Sequence, residues 1–172
     1  LGGRDARLIE FDERSYRPRM VRRFHAATLV DLAHAVMLRE RGIVPREDGQ
    51  RLVEGLLTVH RMGAASFPWS PDSGSYLTQV ESHLSTTIGP AATGLLQTGR
   101  SRLDQAAATE RLYQRDLLLR LSDALLPLVD RLLAMAEQNA ARIMPGYTHL
   151  QHAQPWTFGH YLMRQASILL RD

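Results

Sequence analysis

From Phe24 onward the chain places its apolar residues at a helical period. Leu29, Leu32, Ala33, Val36 and Met37 recur at spacings of three and four, which puts them on one side of a helix. Arg39 and Arg41 fall in its last turn, and Gly42 stands where a helix-ending glycine belongs. Pro45 to Asp48 reads as the start of a second helix, with proline at the first position and two acids near the positive end of its dipole. Its apolar positions are Leu52, Val53, Leu56, Leu57 and Val59, and it ends near Gly63. The stretch 64–74 reads as a loop, because it holds Pro68, Pro71 and a Ser/Asp/Gly tail around Trp69. Tyr76 to Ile88 is predicted helical, with Leu77, Val80 and Leu84 on one side and Gly89-Pro90 ending it. Ahead of Phe24 the chain is polar and basic. Phe11, Tyr16 and Met20 are its few anchors, so an arm with one short helical turn is expected there.

After Gly99 the character changes. From Asp104 to Ile143 nothing reads as a strand or a turn. Leu118, Leu121, Leu125, Leu128, Leu132 and Met135 form one stripe, and Leu119, Leu126 and Leu133 form a second. Two apolar stripes mean that more than one face is buried, as in a helical bundle or at a subunit interface. At about 1.5 Å per residue such a helix would reach roughly 60 Å, too long for a compact domain of this size. Pro127 is expected to bend it. A partner helix begins with Trp156 to Leu170, and its pattern is still running at Asp172, so the sequence is expected to be the N-terminal part of a longer protein. The fold class that follows is all-α. A helical N-terminal domain, 1–99, precedes the first part of a long-helix bundle domain, 100–172.

Composition removes several function classes. There is no cysteine, so neither disulfides nor thiolate metal sites arise, which suits a reducing cytoplasm. No apolar run approaches the length of a membrane span, and no secretory signal is visible. The net charge is +3, and every basic residue is arginine. The arginines are interleaved with acids along the helices and form no nucleic-acid stripe; they reflect the codon usage of a GC-rich genome.

Two stretches could carry chemistry. In Thr98-Gly99-Arg100-Ser101-Arg102-Leu103-Asp104-Gln105, Gly99 allows close backbone approach and Ser101 supplies a hydroxyl. Arg100 and Arg102 can fork onto a carboxylate, and the following helix offers its first N–H groups to an anion. The same residues also read as an ordinary helix start capped by Ser101 or Asp104. The second stretch is Met144 to Pro155, where Pro145-Gly146 signals a turn and Thr148 and His149 stand side by side. Thr148 can hydrogen-bond an anion, and a histidine, titrating near about 6.5, can move a proton at neutral pH. A hydrogen-bonded loop histidine fits as well. His152 and His160 have no acid at metal-ligand spacing, so no metal is expected. His25, His34, His60 and His83 read as structural or surface residues.

Together the two stretches resemble the argininosuccinate lyase branch of the fumarase/aspartase superfamily. Residues 96–105, LQTGRSRLDQ, are similar to that branch's LHTGRSRNDQ, and MPGYTHLQ at 144–151 matches it throughout. Ala153-Gln154-Pro155, Thr157 to His160, and Ala33 to Leu38 match its AQP, TFGH and AHAxML segments. The resemblance implies an all-α homotetramer whose active sites are each built from three subunits. It implies reversible β-elimination of an amine from an N-substituted aspartate, releasing fumarate without a cofactor. Ser101, Arg102 and Thr148 would then bind the substrate carboxylate that gathers charge, and His149 would be the catalytic histidine. The branch's catalytic serine lies on a downstream loop that this sequence does not contain.

The departures fall on substrate recognition. The asparagine that binds substrate in the family is Leu103 here, the histidine before Thr-Gly-Arg is Gln97, and Val30-Asp31 replaces Gly-Ser. The stretch between His83 and Gln97 is also shorter than in the family. A site that loses a polar partner discriminates strongly. The expected reaction therefore keeps fumarate but uses another amine, a diamine or an aminocarboxylate, as in an ethylenediamine-disuccinate lyase. An authentic argininosuccinate lyase is the first alternative. A non-catalytic relative, like the lens crystallins built on this fold, is the second. A helical scaffold protein is a third, which leaves the Thr148-His149 pair without a purpose.

Overall fold

The computed structural model describes residues 4–171. They form two compact units, one running to Gln114 and the other beginning at Arg115.

The first unit opens with helix where an arm was expected. Helix α1 (Ala6–Phe11) is capped by Asp5, whose Oδ1 accepts from Arg7 N at 2.8 Å. A π-helical turn (Asp12–Tyr16) leads into α2 (Arg17–Glu40). Pro18 falls in the first turn of α2, directly after the π-helical turn. This segment lacks an apolar stripe of its own, and long-range polar contacts hold it. Arg17 lies 5.0 Å from the centre of the Trp69 ring, and Arg4 pairs with Asp12 and donates to Pro71 O at 2.9 Å. The first three residues of the expected arm lie outside the described residues.

Gly42 takes the expected left-handed conformation, φ 64°, at the end of α2. Helix α3 runs Arg46–Ser66, with Pro45 as its cap rather than its first residue. It kinks at Gly63, φ 70°, and adds one more turn where a loop was expected. Helix α4 (Tyr76–Thr87) starts in a reciprocal cap: Ser75 Oγ accepts from Thr78 N at 3.2 Å, and Thr78 Oγ1 accepts from Ser75 N at 2.9 Å. A short helix, α5 (Pro90–Thr93), follows. The core gathers Leu52, Leu56, Val59, Val80, Leu84 and Leu96, all without exposed surface. Phe24, Phe67 and Trp69 close one side as tilted and edge-on ring pairs, with Phe67 and Trp69 centroids 4.8 Å apart.

Helix α6 (Arg102–Gln138) starts in the first unit and continues into the second, passing through Pro127 without a break. Leu118, Leu119, Leu121, Leu126 and Leu128 are at least half exposed in the single chain, the faces that the two-stripe pattern marks for a bundle. Beyond α6 the expected inter-helix loop is instead an antiparallel hairpin of β1 (Ile143–Thr148) and β2 (Gln151–Thr157). The turn sits at His149-Leu150, not at Pro145-Gly146. Gly146 occupies a bulge between the Pro145 and Tyr147 pairings, where a Cβ would lie 2.7 Å from Gln154 O. Helix α7 begins at Phe158 rather than Trp156 and runs to Arg171.

Helix α7 is seated by its first two amides, Phe158 N on Arg142 O at 2.8 Å and Gly159 N on Asn139 O at 3.0 Å. Gly159 is buried against the end of α6, where a Cβ would fall 2.5 Å from Ala136 O and 2.8 Å from Ala140 Cα. Backbone cannot give way as a side-chain tip can. Gly159→Ala is therefore expected to destabilise by about 2–3 kcal/mol, read from the urea unfolding midpoint. A change below about 0.5 kcal/mol would contradict this close packing.

Candidate functional site

Position 31 lies on the buried side of α2, one turn from Ala27 and one from Ala35, both buried. The residue there is an aspartate with no exposed surface. Three donors converge on it. Tyr76 Oη donates to Oδ2 at 2.9 Å, Gln105 Nε2 donates to Oδ1 at 2.6 Å, and the Arg100 guanidinium makes an ion pair with Oδ1. They come from α4, from α6 and from the turn before α6. Burial pushes the Asp31 carboxyl upward, opposed by the charge and hydrogen bond of Arg100. Burial, with the adjacent Asp31 charge, likewise drives Tyr76 well above the ordinary phenol value, which keeps its proton in place for donation.

This network sorts the two arginines of the motif. The Arg100 side chain is 7% exposed and committed to Asp31. It also donates from Nε to Gln97 Oε1 at 3.3 Å, while Gln97 Nε2 is buried without a partner. Arg102 is exposed, as are Ser101 and Leu103, the last at 80%. Burial holds the carboxyl of half-buried Glu81 above its ordinary value, opposed by the charge of Arg102.

The turn is built by Gly99, φ 72°, and closed by a cap. Ser101 Oγ accepts from Leu103 N at 3.1 Å, and Asp104 Oδ2 accepts from Ser101 N at 2.7 Å. Ser101 is therefore the cap that the sequence allowed. Because its oxygen accepts from the helix amide, its own O–H proton is left to donate outward. His34 Nε2 braces the turn from α2, donating to Thr98 O at 3.0 Å.

In the second unit Thr148 and His149 reach the tip of the hairpin, both exposed. His149 and Leu150 have φ of 49° and 63°, so both central residues of this two-residue turn are left-handed. Neither is glycine or asparagine, and the conformation is strained for both. The Tyr147 and His152 side chains pair across the strands, Oη to Nε2 at 3.2 Å. Gln97, Ser101, Arg102 and Leu103 belong to the first unit, and Thr148 and His149 to the second. Among the described residues no group of three His, Cys, Asp or Glu side chains could hold a metal ion, and no helix is long and apolar enough to cross a membrane.

Sequence reasoning flagged Asp31 only as a departure from the resemblance and did not connect it to Arg100. The available signal was a carboxylate in the apolar register 27, 31, 35 of a helix, which demands buried donors.

The profile of the lyase family matches residues 2–172. The chain belongs to this lyase family, within the fumarase/aspartase superfamily. It is 46% identical over 142 residues to the argininosuccinate lyase of Chelativorans sp. (strain BNC1), covering 82% of this chain and 30% of that one. Among solved structures it is similar to EDDS lyase in complex with formate, with a TM-score of 0.77 and 30% identity over 99% of this chain and 34% of that chain. An EDDS lyase variant solved with bound fumarate has the same TM-score at 29% identity. The chain spans about a third of the length of the relatives it matches.

The histidine beside the turn gives the site a defined pH response. Burial, then the Arg100 charge, hold His34 below the ordinary histidine value of 6.5. Burial and neighbouring His25 do the same to His60. Both groups favour the neutral form in the fold, so below 6.5 the unfolded chain binds more protons. Their contribution is present above 6.5 and is lost as the pH falls through the folded values. Urea midpoints at pH 7.5 and 5.5 should show a smaller acid-side loss in His34→Gln than in the parent. Equal losses in the two proteins would contradict the assignment.

Proposed function

We propose that the protein is a carbon–nitrogen lyase that reversibly eliminates an amine from an N-substituted aspartate and releases fumarate, with no cofactor. The observation that carries this reading is the hairpin that spends backbone strain to display Thr148 and His149 at its tip, within the MPGYTHLQ stretch. A plain connection between helices has no use for two left-handed non-glycine residues. The second support is the start of α6, where Ser101 keeps a donatable proton and Arg102 keeps an exposed guanidinium.

In this reading a base takes a proton from Cβ, charge spreads into the neighbouring carboxylate, and the C–N bond breaks as the leaving nitrogen takes up a proton. Ser101, Arg102 and Thr148 bind that carboxylate by hydrogen bonds fixed in advance. His149 serves proton transfer at the leaving nitrogen. The base lies outside these residues. The working assembly is a homotetramer in the cytoplasm with sites shared between subunits. Its N-terminal helical domain is 1–99, and the bundle domain begins at 100.

Gln97 and Leu103 favour a substrate other than argininosuccinate, since leucine offers no hydrogen bond where the resemblance implies one. The solved neighbours named EDDS lyase support the same side. The relatives named argininosuccinate lyase favour the alternative, an ordinary member acting on argininosuccinate.

Mixing the full gene product with fumarate and either ethylenediamine or arginine, and following fumarate absorbance in the ultraviolet, separates the two. Consumption with ethylenediamine and not arginine is the expected result. Consumption with arginine alone would restore the alternative, and no consumption with any amine would overturn the lyase reading. His149→Asn is expected to lower kcat by about 100-fold or more with the fold intact by circular dichroism. A loss under about threefold would remove His149 from catalysis.

A further inference from the structure

The tip of the hairpin, residues 147–152, is exposed throughout, with Leu150 at 93%. No apolar burial holds it. It is also cut off from the base of the hairpin. The rung below it pairs Pro145 with Pro155, and neither proline offers an N–H to the ladder. Next comes the bulge, where Gly146 on β1 and Ala153 and Gln154 on β2 stand outside the pairing. Beyond that break two rungs remain, Tyr147 with His152 and Thr148 with Gln151. They close on the turn whose two central residues, His149 and Leu150, are both left-handed.

Two rungs are a weak clamp for a strained turn, since a lone two-stranded ladder is marginal in water. One side-chain contact reinforces them. Tyr147 and His152 meet across the strands with ring centres 5.0 Å apart and planes tilted by 41°, and Tyr147 Oη lies 3.2 Å from His152 Nε2. Among the described residues no other side-chain hydrogen bond, ion pair or ring contact reaches 147–152. His152 has no acid at metal-ligand spacing, and the proposed reaction gives neither Tyr147 nor His152 a task.

We propose that Tyr147 and His152 are positioning residues: their contact holds the strained turn closed and so sets where Thr148 and His149 stand. The clamp rests on the geometry of the hairpin, and its use in the reaction rests on the lyase reading. The bond joins the strands two residues before His149 and two residues after Leu150. Without it the turn is free to trade its left-handed residues for relaxed ones, and Thr148 and His149 leave their places. Because Thr148 and His149 act on charge and protons as the C–N bond breaks, their displacement lowers kcat more than it raises KM.

The test uses the full gene product and two readouts. Hydrogen exchange of the amides in 147–152, followed by mass spectrometry, reports the clamp without any substrate. Fumarate absorbance, with the amine that the protein consumes, reports the reaction. Tyr147→Phe and His152→Phe keep both rings and lose the hydrogen bond. Each is expected to speed exchange at the tip and to lower kcat, both by about fivefold, with the fumarate KM moving less than about twofold and the urea midpoint unchanged. The double variant should lose no more than either single one, because the bond is already gone. His152→Gln, whose amide can accept from the phenol, should bring both readouts to within about twofold of the parent. Unchanged exchange in the phenylalanine variants would overturn the clamp, as would losses that multiply in the double variant. A His152→Gln protein as impaired as His152→Phe would also overturn it, and would make the imidazole itself the group required. Faster exchange with an unchanged kcat would overturn the positioning role and leave the lyase reading standing. Faster exchange in the variants of a parent that consumes no fumarate with any amine would sustain the clamp and overturn the lyase reading.

Discussion

Asp31 is a carboxylate with no exposed surface, and it is held by donors from three parts of the chain. An unpaired buried charge would cost several kcal/mol, so the fold around it must deliver Arg100, Tyr76 and Gln105 together. That requirement ties α2 to α4 and to the turn that launches α6. The same contacts decide what the turn can offer. With Arg100 turned inward, Arg102 becomes the outward cation, and Ser101 is set as the cap whose proton remains available. Neutral residues could hold these elements together as firmly. The ionic version adds orientation, because two carboxylate oxygens accept donors only along restricted directions.

How far the sequence foretold this depends on the kind of interaction. The helices α3, α4 and α6 were legible because burial of Leu52, Leu56, Val80 and Leu84, and the leucine stripes of α6, follow the helical period. Gly42 was legible because its left-handed conformation is local. The N-terminal helices were not, since Arg4 and Arg17 are anchored by Pro71 and Trp69 from a distant loop, and periodicity carries no trace of such contacts. The hairpin was missed for another reason. Its turn is His149-Leu150, which lacks the glycine or asparagine that marks a two-residue turn, whereas Pro145-Gly146 sends a turn signal from what is a strand bulge.

The candidate site was half legible. Ser101, Arg102, Thr148 and His149, the residues of the proposed site, were singled out from type and spacing. The separation of Arg100 from Arg102 could not, because it depends on which guanidinium Asp31 captures. The strain at the hairpin tip is equally invisible in residue types. Both features act the same way: the fold holds a few polar groups in fixed positions, which is what the proposed reaction would require for stabilising charge as it develops.

The most direct measurement is a double-mutant cycle between Asp31→Asn and Arg100→Met, read as the free energy of urea unfolding. If the carboxylate and guanidinium form the pair that fixes the turn, each single change strands a buried group. The double variant should then be less damaged than the two losses combined, by about 2 kcal/mol or more. Losses that add to within about 0.5 kcal/mol would mean that the two side chains act independently, and Asp31 would not be the anchor of this site.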